Sequence, residues 1–587
     1  MTASQKGPPS LAKIRADGKQ ITLHSSYDPV KEAQRLIDSE DAENRTRFLV
    51  LGLGLGYHLQ ELVRRVPRSS RIMVFEKDAE ILFHCLANND FSSVLVHPGV
   101  CFQVAKDVSS LEAVLEPDRT GFALNGYSVV KLQALVSSEF DYYSSLLKKI
   151  DSVFTETQID LKTQAAFSKL FYRNIFDNWK SILNSTGVRS LENKCSGIPA
   201  IIVSAGPSLD KNISILKKSS HRAVVIAVAT ALRPLIENGI RVDFVVVIDP
   251  DEATVQFFEF DKIPKNVCLI FDPCAPASII ENYPHRKIRI DSEVYLSQWL
   301  ASKQEENNFL GKTLSVAHTA FSLAGHLGCE PIILTGQDLS FHRNRLHCAG
   351  SYYDLDRKDK IGRLKSLKNL EEARYAGFSP SFKSVEDIFE KEIVTTSALN
   401  SYKDIFAEKM NGKGSVYNAT EGGLPIPGVP SISLKEAVNE LCLTGKWSQT
   451  TNVDVLPMKS FQKVKSEVMA QGRRFGTVVN EIATIKSNYL NSSECSAGLQ
   501  EEFVMRMEKL YRALLDDSET LQLMQGYSYG GFIEWKQESE KNVIQEEMAS
   551  KEVLASKFQR DIKFVEVLQE SAETLRNEFN KMAEEMN

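Results

Sequence analysis

Two acids follow an apolar run near the middle of the chain, where the segment VVIDPDEAT contains Asp249-Pro250-Asp251. Paired carboxylates in an Asp-x-Asp pattern are typical of sugar transferases that hold a nucleotide diphosphate through Mg²⁺ or Mn²⁺, because carboxylate oxygens are preferred ligands of these ions. The alternative interpretation is that Asp249 contacts a nucleotide directly and Asp251 takes no part. The two interpretations differ in whether the reaction needs a metal.

Polar residues also follow three neighbouring apolar runs. The polar ends of the four runs are Ser204 to Ser208, Thr230, Asp249 and Gly336-Gln337-Asp338. Gly206 would let the backbone approach a ligand closely, and a helix beginning near Pro207 and Ser208 would offer its amides and its dipole to a phosphate. A plain capped turn would have the same sequence. Four such ends at one edge of a sheet nevertheless favour a nucleotide pocket.

A long polar loop follows the last of these runs. The segment HRNRLHCAGSYYD supplies a candidate base, His347, and several side chains that could bind a phosphate: Arg343, Arg345, Tyr352 and Tyr353. A His above such a pocket would serve as a general base, whereas Arg and Tyr would neutralise a leaving phosphate. For His347 taken alone, a solvated loop residue is the alternative.

Alternating strand and helix patterns position these residues. Between about 190 and 445, short apolar runs alternate with helical patterns, which predicts an α/β fold with a mostly parallel sheet and helices on both faces. Earlier, RFLVLGLGLGYHL at 47–59 and RIMVFEKD at 71–78 predict a strand, a glycine-rich turn, a helix and a second strand that ends at Glu76. This is a Rossmann-like start.

Four segments follow from these patterns. They are an N-terminal Rossmann-like domain at 1–150, a bridging helix at 151–190, a central catalytic domain at 191–445 and a C-terminal helical bundle at 446–587. In the bridging helix, Phe167, Phe171, Ile175 and Trp179 recur at spacings of three and four residues, which indicates packing. The C-terminal stripes also favour packing in a bundle, with protein binding as the alternative.

Composition narrows the class of protein. The 587 residues are 43% hydrophobic and 25% charged, as in soluble globular proteins, and the net charge of −6 argues against a general nucleic-acid binder. Nine cysteines without CxxC pairs indicate reduced thiols. The apolar runs are shorter than a bilayer requires, and the first residues lack the apolar centre of a signal peptide. We therefore expect a cytoplasmic protein without membrane insertion.

Several of these segments resemble the motility-associated factor (Maf) family of bacterial flagellin glycosyltransferases. The resemblance rests on SAGPSL at 204–209, VVVIDP at 245–250, SVAHTAFSLAGHLGCEPIILTGQDLSF at 315–341 and YNATEGG at 417–423. LHSSYDP, LGLGLGYHL and FYRNIFDNW in the N-terminal third fit the same family. The resemblance covers the chain to about residue 440, and each motif is loose by itself.

The family's central domain is similar to bacterial sialyltransferases that use CMP-activated sugars. This likeness implies that Gly206, Pro207 and Ser208 cradle the cytidine nucleotide, with Ser204 beside them. Thr230 and Asp249 would contact base, ribose or phosphate at places where the sialyltransferases commonly carry Asn. Gly336, Gln337 and Asp338 would match a Gly-x-Asp segment, with Asp338 taking part in catalysis. His347, matched only by its order in the chain, would be the base.

The resemblance implies a reaction and its partners. A nonulosonic acid of the pseudaminic or legionaminic type would move from a CMP-sugar to Ser or Thr of flagellin, which flagellar assembly and motility require. Arg345, Tyr352 and Tyr353 would stabilise the leaving CMP. A CMP-sugar has one phosphate, so the resemblance implies no cofactor and no metal. With a diphosphate donor, Asp249 and Asp251 would instead face Mg²⁺ or Mn²⁺.

Three alternatives stay open at the level of sequence. The central domain also resembles archaeal-type 6-hydroxymethylpterin diphosphokinases, which implies ATP and Mg²⁺. The turn with Glu76 resembles the nucleoside site of an S-adenosylmethionine-dependent methyltransferase, although a non-catalytic scaffold is favoured there. The chain could also be a flagellin-binding assembly factor without catalysis. The sugar, the acceptor sites and the oligomeric state, including a homo-oligomer, are left open.

Overall fold

The structure is a computed structural model of the chain. It describes residues 1–14, 18–40, 45–260, 262–304, 307–311, 315–342, 344–363, 366–378, 381–410, 412, 414–442, 461–489, 496–547 and 553–586. Arg343, Cys495 and the predicted boundary at 445/446 lie outside the described residues. The other eight cysteines are free thiols.

The chain divides into two compact units. Unit 1 comprises residues 1–163, 485–509 and 530–567, and unit 2 comprises residues 164–484, 510–529 and 568–587. The C-terminal helices thus contribute residues to both units. The four predicted domain boundaries stay a prediction.

Unit 1 is built on a small parallel sheet. Its strands are β1 (Ala12–Ile14), β2 (Gln20–Thr22), β3 (Arg47–Leu51), β4 (Arg71–Glu76), β5 (Val100–Val104) and β6 (Ser128–Lys131). Strands β1 and β2 form an antiparallel pair, and the other four form a parallel sheet in the order β5-β4-β3-β6. Residues Phe48 to Leu51 are fully buried, as expected for a parallel strand covered on both faces.

Helices surround this sheet. They are α1 (Pro29–Asp38), α2 (Tyr57–Arg65), α3 (Ala79–Asn88), α4 (Ser92–Leu95), α5 (Leu111–Leu115), α6 (Arg119–Asn125), α7 (Gln133–Ser138) and α8 (Phe140–Asp177). The predicted bridging helix is thus the C-terminal part of a longer helix, α8, which runs directly into α9 (Trp179–Asn184).

Unit 2 contains the large parallel sheet that the alternating patterns predicted. Its strands are β7 (Thr186–Gly187), β8 (Ala200–Val203), β9 (Val224–Val228), β10 (Phe244–Val247), β11 (Cys268–Phe271), β12 (Lys287–Arg289), β13 (Ile332–Thr335) and β16 (Val416–Asn418). They lie in the order β16-β13-β8-β9-β10-β11-β12-β7, and each neighbouring pair is parallel. The α/β class and the parallel sheet are confirmed.

Two of the connecting helices of unit 2 lie in a segment for which the sequence predicts a long loop. The helices are α10 (Leu209–Ser219), α11 (Ala229–Glu237), α12 (Ala277–Asn282), α13 (Tyr295–Gln304), α14 (Val316–His326), α15 (Tyr352–Asp359), α16 (Leu367–Gly377), α17 (Ser397–Met410) and α18 (Leu434–Glu440). An antiparallel hairpin of β14 (Phe382–Glu386) and β15 (Glu392–Thr396) lies between α16 and α17 in the chain. Helices α15 and α16 and this hairpin lie within 341–396, where charged residues obscure the apolar periodicity.

The described residues from 461 onward are mostly helical, as predicted. The helices are α19 (Phe461–Tyr489), α20 (Ala497–Asp516), α21 (Ser518–Tyr527), α22 (Tyr529–Glu547) and α23 (Val553–Glu585). In unit 2, the buried ring of Phe579 packs edge-on against Phe176 and Trp299. Among the described helices, none has both the length and the hydropathy needed to cross a bilayer.

Candidate active site at the carboxyl edge of the central sheet

The chain reverses its direction of travel across the large sheet beside β8. From β8 it proceeds through β9, β10, β11 and β12, whereas β13 lies on the other side of β8. Parallel α/β sheets bind ligands in the crevice outside the carboxyl ends of two such strands. Ser204 follows β8 and Gly336 follows β13, so the predicted segments meet at this switch point.

Close backbone contact joins the two strand ends. The Gly206 amide donates to the Gly336 carbonyl at 2.8 Å, and the Ser204 hydroxyl donates to Gln337 Oε1 at 2.6 Å. A Cβ atom on Gly206 would lie 2.5 Å from the Gly336 oxygen and would overlap the Asp338 carboxylate. Glycine at 206 is therefore required by the approach of the two segments.

Asp338 occupies the start of α10. Its Oδ1 accepts from the Ser208 amide at 3.1 Å, and its Oδ2 accepts from the Ser208 hydroxyl at 2.6 Å. The residue is 5% exposed, and this burial raises the pKa of the carboxyl to about 6, against the opposing effect of the Ser208 bonds and the charge of Lys211. Asp338 thus caps the helix and is mostly ionised at neutral pH.

The amides of this helix start have acceptors within the protein. Ser208 donates to Asp338, Leu209 to the Gly206 carbonyl at 3.1 Å, and Asp210 to the Pro207 carbonyl at 3.4 Å. A phosphate at this point would compete with these acceptors and would face the Asp338 charge. The phosphate contact predicted for the Gly206-Pro207-Ser208 turn therefore stays a prediction, and the described geometry provides an acid at that place.

The carboxylates of Asp249 and Asp251 make different hydrogen bonds. Asp251 caps the following turn, because its Oδ1 accepts from the Ala253 amide at 2.9 Å. Asp249 is exposed at the end of β10, and its Oδ1 accepts from the Asp251 amide at 3.1 Å. The main cause that raises the pKa of Asp249 is the loss of water around its carboxylate on the side that faces the protein, and the charge of Asp251 adds to this shift. On the neighbouring strand end, Thr230 is half-buried in the first turn of α11.

Two asparagines that sequence reasoning missed hold the loops after β10 and β11. Asn174 Nδ2 donates to the Pro250 carbonyl at 3.0 Å and to the Cys274 carbonyl at 2.7 Å. Asn178, one turn further along, donates to the Pro273 and Ala275 carbonyls. Asparagines four residues apart on one face of α8 were the available signal, in the segment FYRNIFDNW.

Two further polar groups of this edge were also missed. Asp272 follows β11, and burial raises the pKa of its carboxyl to about 6, while the bond that it accepts from the Cys274 amide opposes the shift. Tyr402 on α17 is half-buried; burial first, and then the charge of nearby Asp249, raise the pKa of its phenol. No sequence pattern indicated that the segments bearing these two residues lie near Asp249.

The loop with the predicted base is attached to the start of α10. The Cys348 amide donates to the Ala205 carbonyl at 2.8 Å, and the Ala349 amide donates to Asp210 Oδ1 at 2.8 Å. Arg345 Nη2 donates to the His347 carbonyl at 3.2 Å and pairs with Asp210 at 3.3 Å. His347 is therefore carried beside the Ser204–Ser208 turn.

Aromatic stacking orients the predicted base. The imidazole of His347 lies nearly parallel to the Tyr353 ring, with ring centroids 4.5 Å apart. Tyr352 and Tyr353 both pack against Phe257, at 5.9 and 5.5 Å. This stack fixes the plane of the imidazole, while His347 stays half exposed.

The segment after β16 completes the switch point. Thr420 Oγ1 accepts from the Gln337 amide at 3.2 Å, and the Leu424 amide donates to the Asp338 carbonyl at 2.9 Å. The Lys211 ammonium donates to the Glu421 carbonyl at 2.9 Å. The YNATEGG loop thus contacts the same crevice. Among the described residues, no group of three or more His, Cys, Asp or Glu side chains is arranged to hold a metal ion.

The glycine-rich turn of unit 1 is filled by the protein itself. The Leu53 amide donates to Glu76 Oε2 at 2.7 Å, and the Leu55 amide donates to His24 Nε2 at 2.7 Å. A Cβ atom on Gly54 would lie 2.5 Å from His24 Nε2 and 2.6 Å from Leu132 Cδ2. Glu76, which the methyltransferase alternative assigned to a ribose, is instead bonded to the turn itself.

Comparisons with known proteins match the N-terminal part and the central part of this chain. Residues 9–97 match the family model of the glycosyltransferase Maf N-terminal domain, and residues 173–344 match the 6-hydroxymethylpterin diphosphokinase MptE-like family. The second range contains strands β8 to β13 and the switch point. The fold is similar to a solved MAf glycosyltransferase from Magnetospirillum magneticum AMB-1, with a TM-score of 0.53, 15% identity, and coverage of 99% of this chain and 93% of the other.

Two proteins of Treponema pallidum (strain Nichols), both described as uncharacterized, are also similar. One is 27% identical over 198 residues, or 33% of this chain and 66% of the relative; the other is 22% identical over 360 residues, or 59% and 61%. The matches span less than two-thirds of either relative. The fold is that of a two-unit α/β protein with a switch-point crevice. The match of residues 9–97 to the Maf N-terminal domain and the fold shared with the solved MAf glycosyltransferase confirm the resemblance to the Maf family.

Proposed function

We propose that this chain is a glycosyltransferase that moves a nonulosonic acid from a CMP-activated donor to Ser or Thr of flagellin. The observation that carries the proposal is the juxtaposition at the switch point. The loop that bears Arg345, His347 and Tyr353 is hydrogen-bonded to the turn after β8 and to the first turn of α10. A candidate base and phosphate-binding groups thus lie beside the crevice where α/β sheets bind nucleotides.

The position of Asp338 decides where the donor's phosphate would lie. Because Asp338 bonds to Ser208, a phosphate is disfavoured at the start of α10. We place the phosphate towards Arg345, Tyr352 and Tyr353, and the nucleoside along the β8 and β10 ends. Ser204, Gln337, Thr230 and Asp249 would then contact base and ribose. In this arrangement Asp338 would act as a positioning residue, and the direct catalytic role that the resemblance implies for it stays a prediction.

The reaction would proceed by displacement at the anomeric carbon. His347 takes the proton of the acceptor hydroxyl as its oxygen forms a bond to the anomeric carbon. The bond from that carbon to the phosphate oxygen breaks, and CMP leaves with both electrons. Arg345 and the two tyrosines stabilise the charge on the departing phosphate. The Tyr353 ring, stacked on His347, keeps the imidazole in one plane.

A metal is not favoured in this reaction. A CMP-sugar has a single phosphate, and one of the two acids of the Asp-x-Asp segment, Asp251, is engaged as a helix cap. If Mg²⁺ or Mn²⁺ took part, Asp249 and Asp272 would be the carboxylates to test, since both lie at neighbouring strand ends.

The experiment combines binding with the mass of the acceptor. CMP is titrated calorimetrically into the protein, and flagellin from cells that carry each variant is weighed by mass spectrometry. His347→Ala and Asp249→Ala should each remove a sugar-sized increment. His342→Ala, an exposed histidine on the same loop, should leave it in place. An unchanged flagellin mass in both test variants would contradict the proposed site and favour a flagellin-binding assembly factor.

A second candidate has one observation in its favour. Residues 173–344 match the MptE-like pterin diphosphokinase family. That function would require ATP and Mg²⁺, held by Asp249 and Asp272. Thermal unfolding separates the two, because a nucleotide that binds the folded state raises the Tm. CMP should raise the Tm without added metal. A rise with ATP and Mg²⁺, but not with CMP, would favour the diphosphokinase.

A further inference from the structure

A buried arginine near the predicted base has donors without acceptors. Arg357 lies on α15 and is 5% exposed, and its Nε and Nη2 atoms are buried without a hydrogen-bond partner. Burying a guanidinium is unfavourable unless its charge is paired and its N–H groups find acceptors. Unfilled donors of this kind indicate that a water, an ion or a ligand group completes the site.

The nearest acid does not fill this need. Asp354 Oδ1 lies 3.5 Å from Arg357 Nη2, which is beyond the usual length of an N–H···O bond. The other oxygen of Asp354 already accepts from the Lys358 ammonium at 2.7 Å and from the Gly350 amide at 3.0 Å. Asp354 is therefore shared among several cationic and amide donors.

A second guanidinium in the same neighbourhood is also incompletely bonded. Arg345 Nε is buried without a hydrogen-bond partner, while Nη2 contacts Asp210 and the His347 carbonyl. Arg345 also interacts electrostatically with Asp354. We call these residues the lid cluster: Arg345, Arg357, Lys358, Asp210 and Asp354. Three positive and two negative side chains leave the cluster with one net positive charge.

We infer that Arg357, together with Arg345, binds an oxyanion of the donor substrate, either its phosphate or a sugar carboxylate. Guanidinium groups bind both kinds of oxyanion through paired N–H bonds, and an anion here would satisfy the buried donors and neutralise the cluster. The inference rests on the proposed function, because the loop from Arg345 to Tyr353 joins the cluster to the switch point. It adds Arg357 to the groups that read the charge of the donor.

Calorimetric titrations test this assignment with three ligands: CMP, CMP-N-acetylneuraminic acid and free N-acetylneuraminic acid. The proteins are the wild type, Arg357→Met, Arg357→Lys and the control Lys360→Met, which changes an exposed cation at the end of the same helix. Arg357→Met should weaken binding about ten-fold or more, and Lys360→Met less than about two-fold. A loss for CMP assigns Arg357 to the phosphate. A loss confined to ligands with a carboxylate assigns it to the sugar acid.

The outcomes separate this inference from the proposed function. If the wild type binds CMP and Arg357→Met binds all three ligands equally well, the anion site is refuted while the proposed function stands. If no nucleotide binds, inorganic phosphate is the remaining probe. If phosphate raises the Tm of the wild type but not that of Arg357→Met, the anion site is supported and the transferase function is not. If phosphate raises neither Tm, both are refuted. If Arg357→Met fails to fold, Arg357→Lys takes its place, because lysine keeps the positive charge and lacks the paired N–H donors of the guanidinium. The same fold-changes in affinity then apply to Arg357→Lys.

Discussion

Two glycine-rich turns of this chain follow buried parallel strands, and different side chains fill the space around them. In unit 1, His24 and Glu76 bond to the turn amides, and Leu132 packs against Gly54. In unit 2, the corresponding turn at Gly206 is surrounded by polar groups, and exposed Asp249 and half-buried His347 lie on the neighbouring segments. Protein groups bond to amides of the turn in both units, so a Rossmann-like turn by itself does not indicate a ligand site, and the polar groups on the neighbouring strand ends distinguish unit 2.

An acid bonds to the turn in both units, and the consequence differs. Glu76 accepts from one amide of the unit 1 turn, that of Leu53, and from the Asp78 amide just before α3. Asp338 holds only the Ser208 end of the turn in unit 2. The β8, β9 and β10 ends remain for a ligand, so unit 2 keeps a crevice beside its capped helix. The following changes test this contrast, from the largest expected effect to the smallest.

Removing the imidazole near each turn should lower the rate of sugar transfer in the case of His347 and leave it almost unchanged in the case of His24. His347→Ala should lower the rate of sugar transfer about 10²- to 10⁴-fold, the range for loss of a general base. His24→Ala should leave the rate within about two-fold and lower stability instead, because it leaves the Leu55 amide without its acceptor. Initial rates and urea unfolding measure both. Equal losses of activity in the two variants would contradict the division between the turns.

Adding one methyl group to each turn should destabilise both and affect ligand binding in only one. Gly206→Ala would press on the Gly336 carbonyl, and Gly54→Ala would press on His24 and Leu132. Each should cost about 1–3 kcal/mol of unfolding free energy, the range for overpacking. Only Gly206→Ala should also weaken CMP binding. Calorimetry on folded protein measures this, and a weaker CMP affinity in Gly54→Ala would count against the contrast.

Acid should loosen the turn of unit 1 and tighten that of unit 2. Burial foremost, and then the charge of His58, lower the pKa of His24 to about 3, so its contribution to stability is lost as pH falls from about 6.5 towards 3. The raised pKa of Asp338 acts in the opposite direction, because protonation near pH 6 relieves a buried charge. Each effect amounts to about 1–2 kcal/mol between pH 7 and 5.

Hydrogen exchange at pH 7 and pH 5, corrected for intrinsic rates, reports each turn separately. The pKa of Glu76 is raised by burial and opposes His24 in unit 1, so His24→Gln and Asp338→Asn are needed to isolate each group. His24→Gln should remove the loosening of the unit 1 turn in acid and leave the opposing effect of Glu76, whereas Asp338→Asn should remove the tightening of the unit 2 turn. An unchanged response in Asp338→Asn would contradict the role given to its buried charge.

The smallest change concerns the two asparagines of α8. Asn178→Ala would leave the Pro273 and Ala275 carbonyls without their donor and should cost about 1–3 kcal/mol of unfolding free energy. Because Asn174 also holds the β10 loop, the KM for the donor should rise only a few-fold while kcat is kept. Steady-state kinetics test this, and a loss confined to kcat would contradict a positioning role.

The sequence allowed the sheet and its carboxyl edge to be predicted, because apolar runs such as Ile201 to Val203 mark buried parallel strands and parallel strands bring their ends together. It did not show that Asp338 would bond to Ser208, since the two lie 130 positions apart and only the switch in strand order joins them. For the same reason the contacts of Asn174 and Tyr402 were missed. Their partners are carbonyls and charges on segments distant in sequence.

The most direct test of the account is a crystal structure of the protein with CMP, supported by a calorimetric titration. The account predicts cytidine density along the ends of β8 and β10, beside Ser204, Gln337 and Asp249, with the phosphate directed to Arg345. Two results would contradict the account. One is cytidine density at the Gly54 turn of unit 1. The other is a titration in which CMP produces no heat, together with a crystal structure in which Asp338 and Gln337 close the crevice.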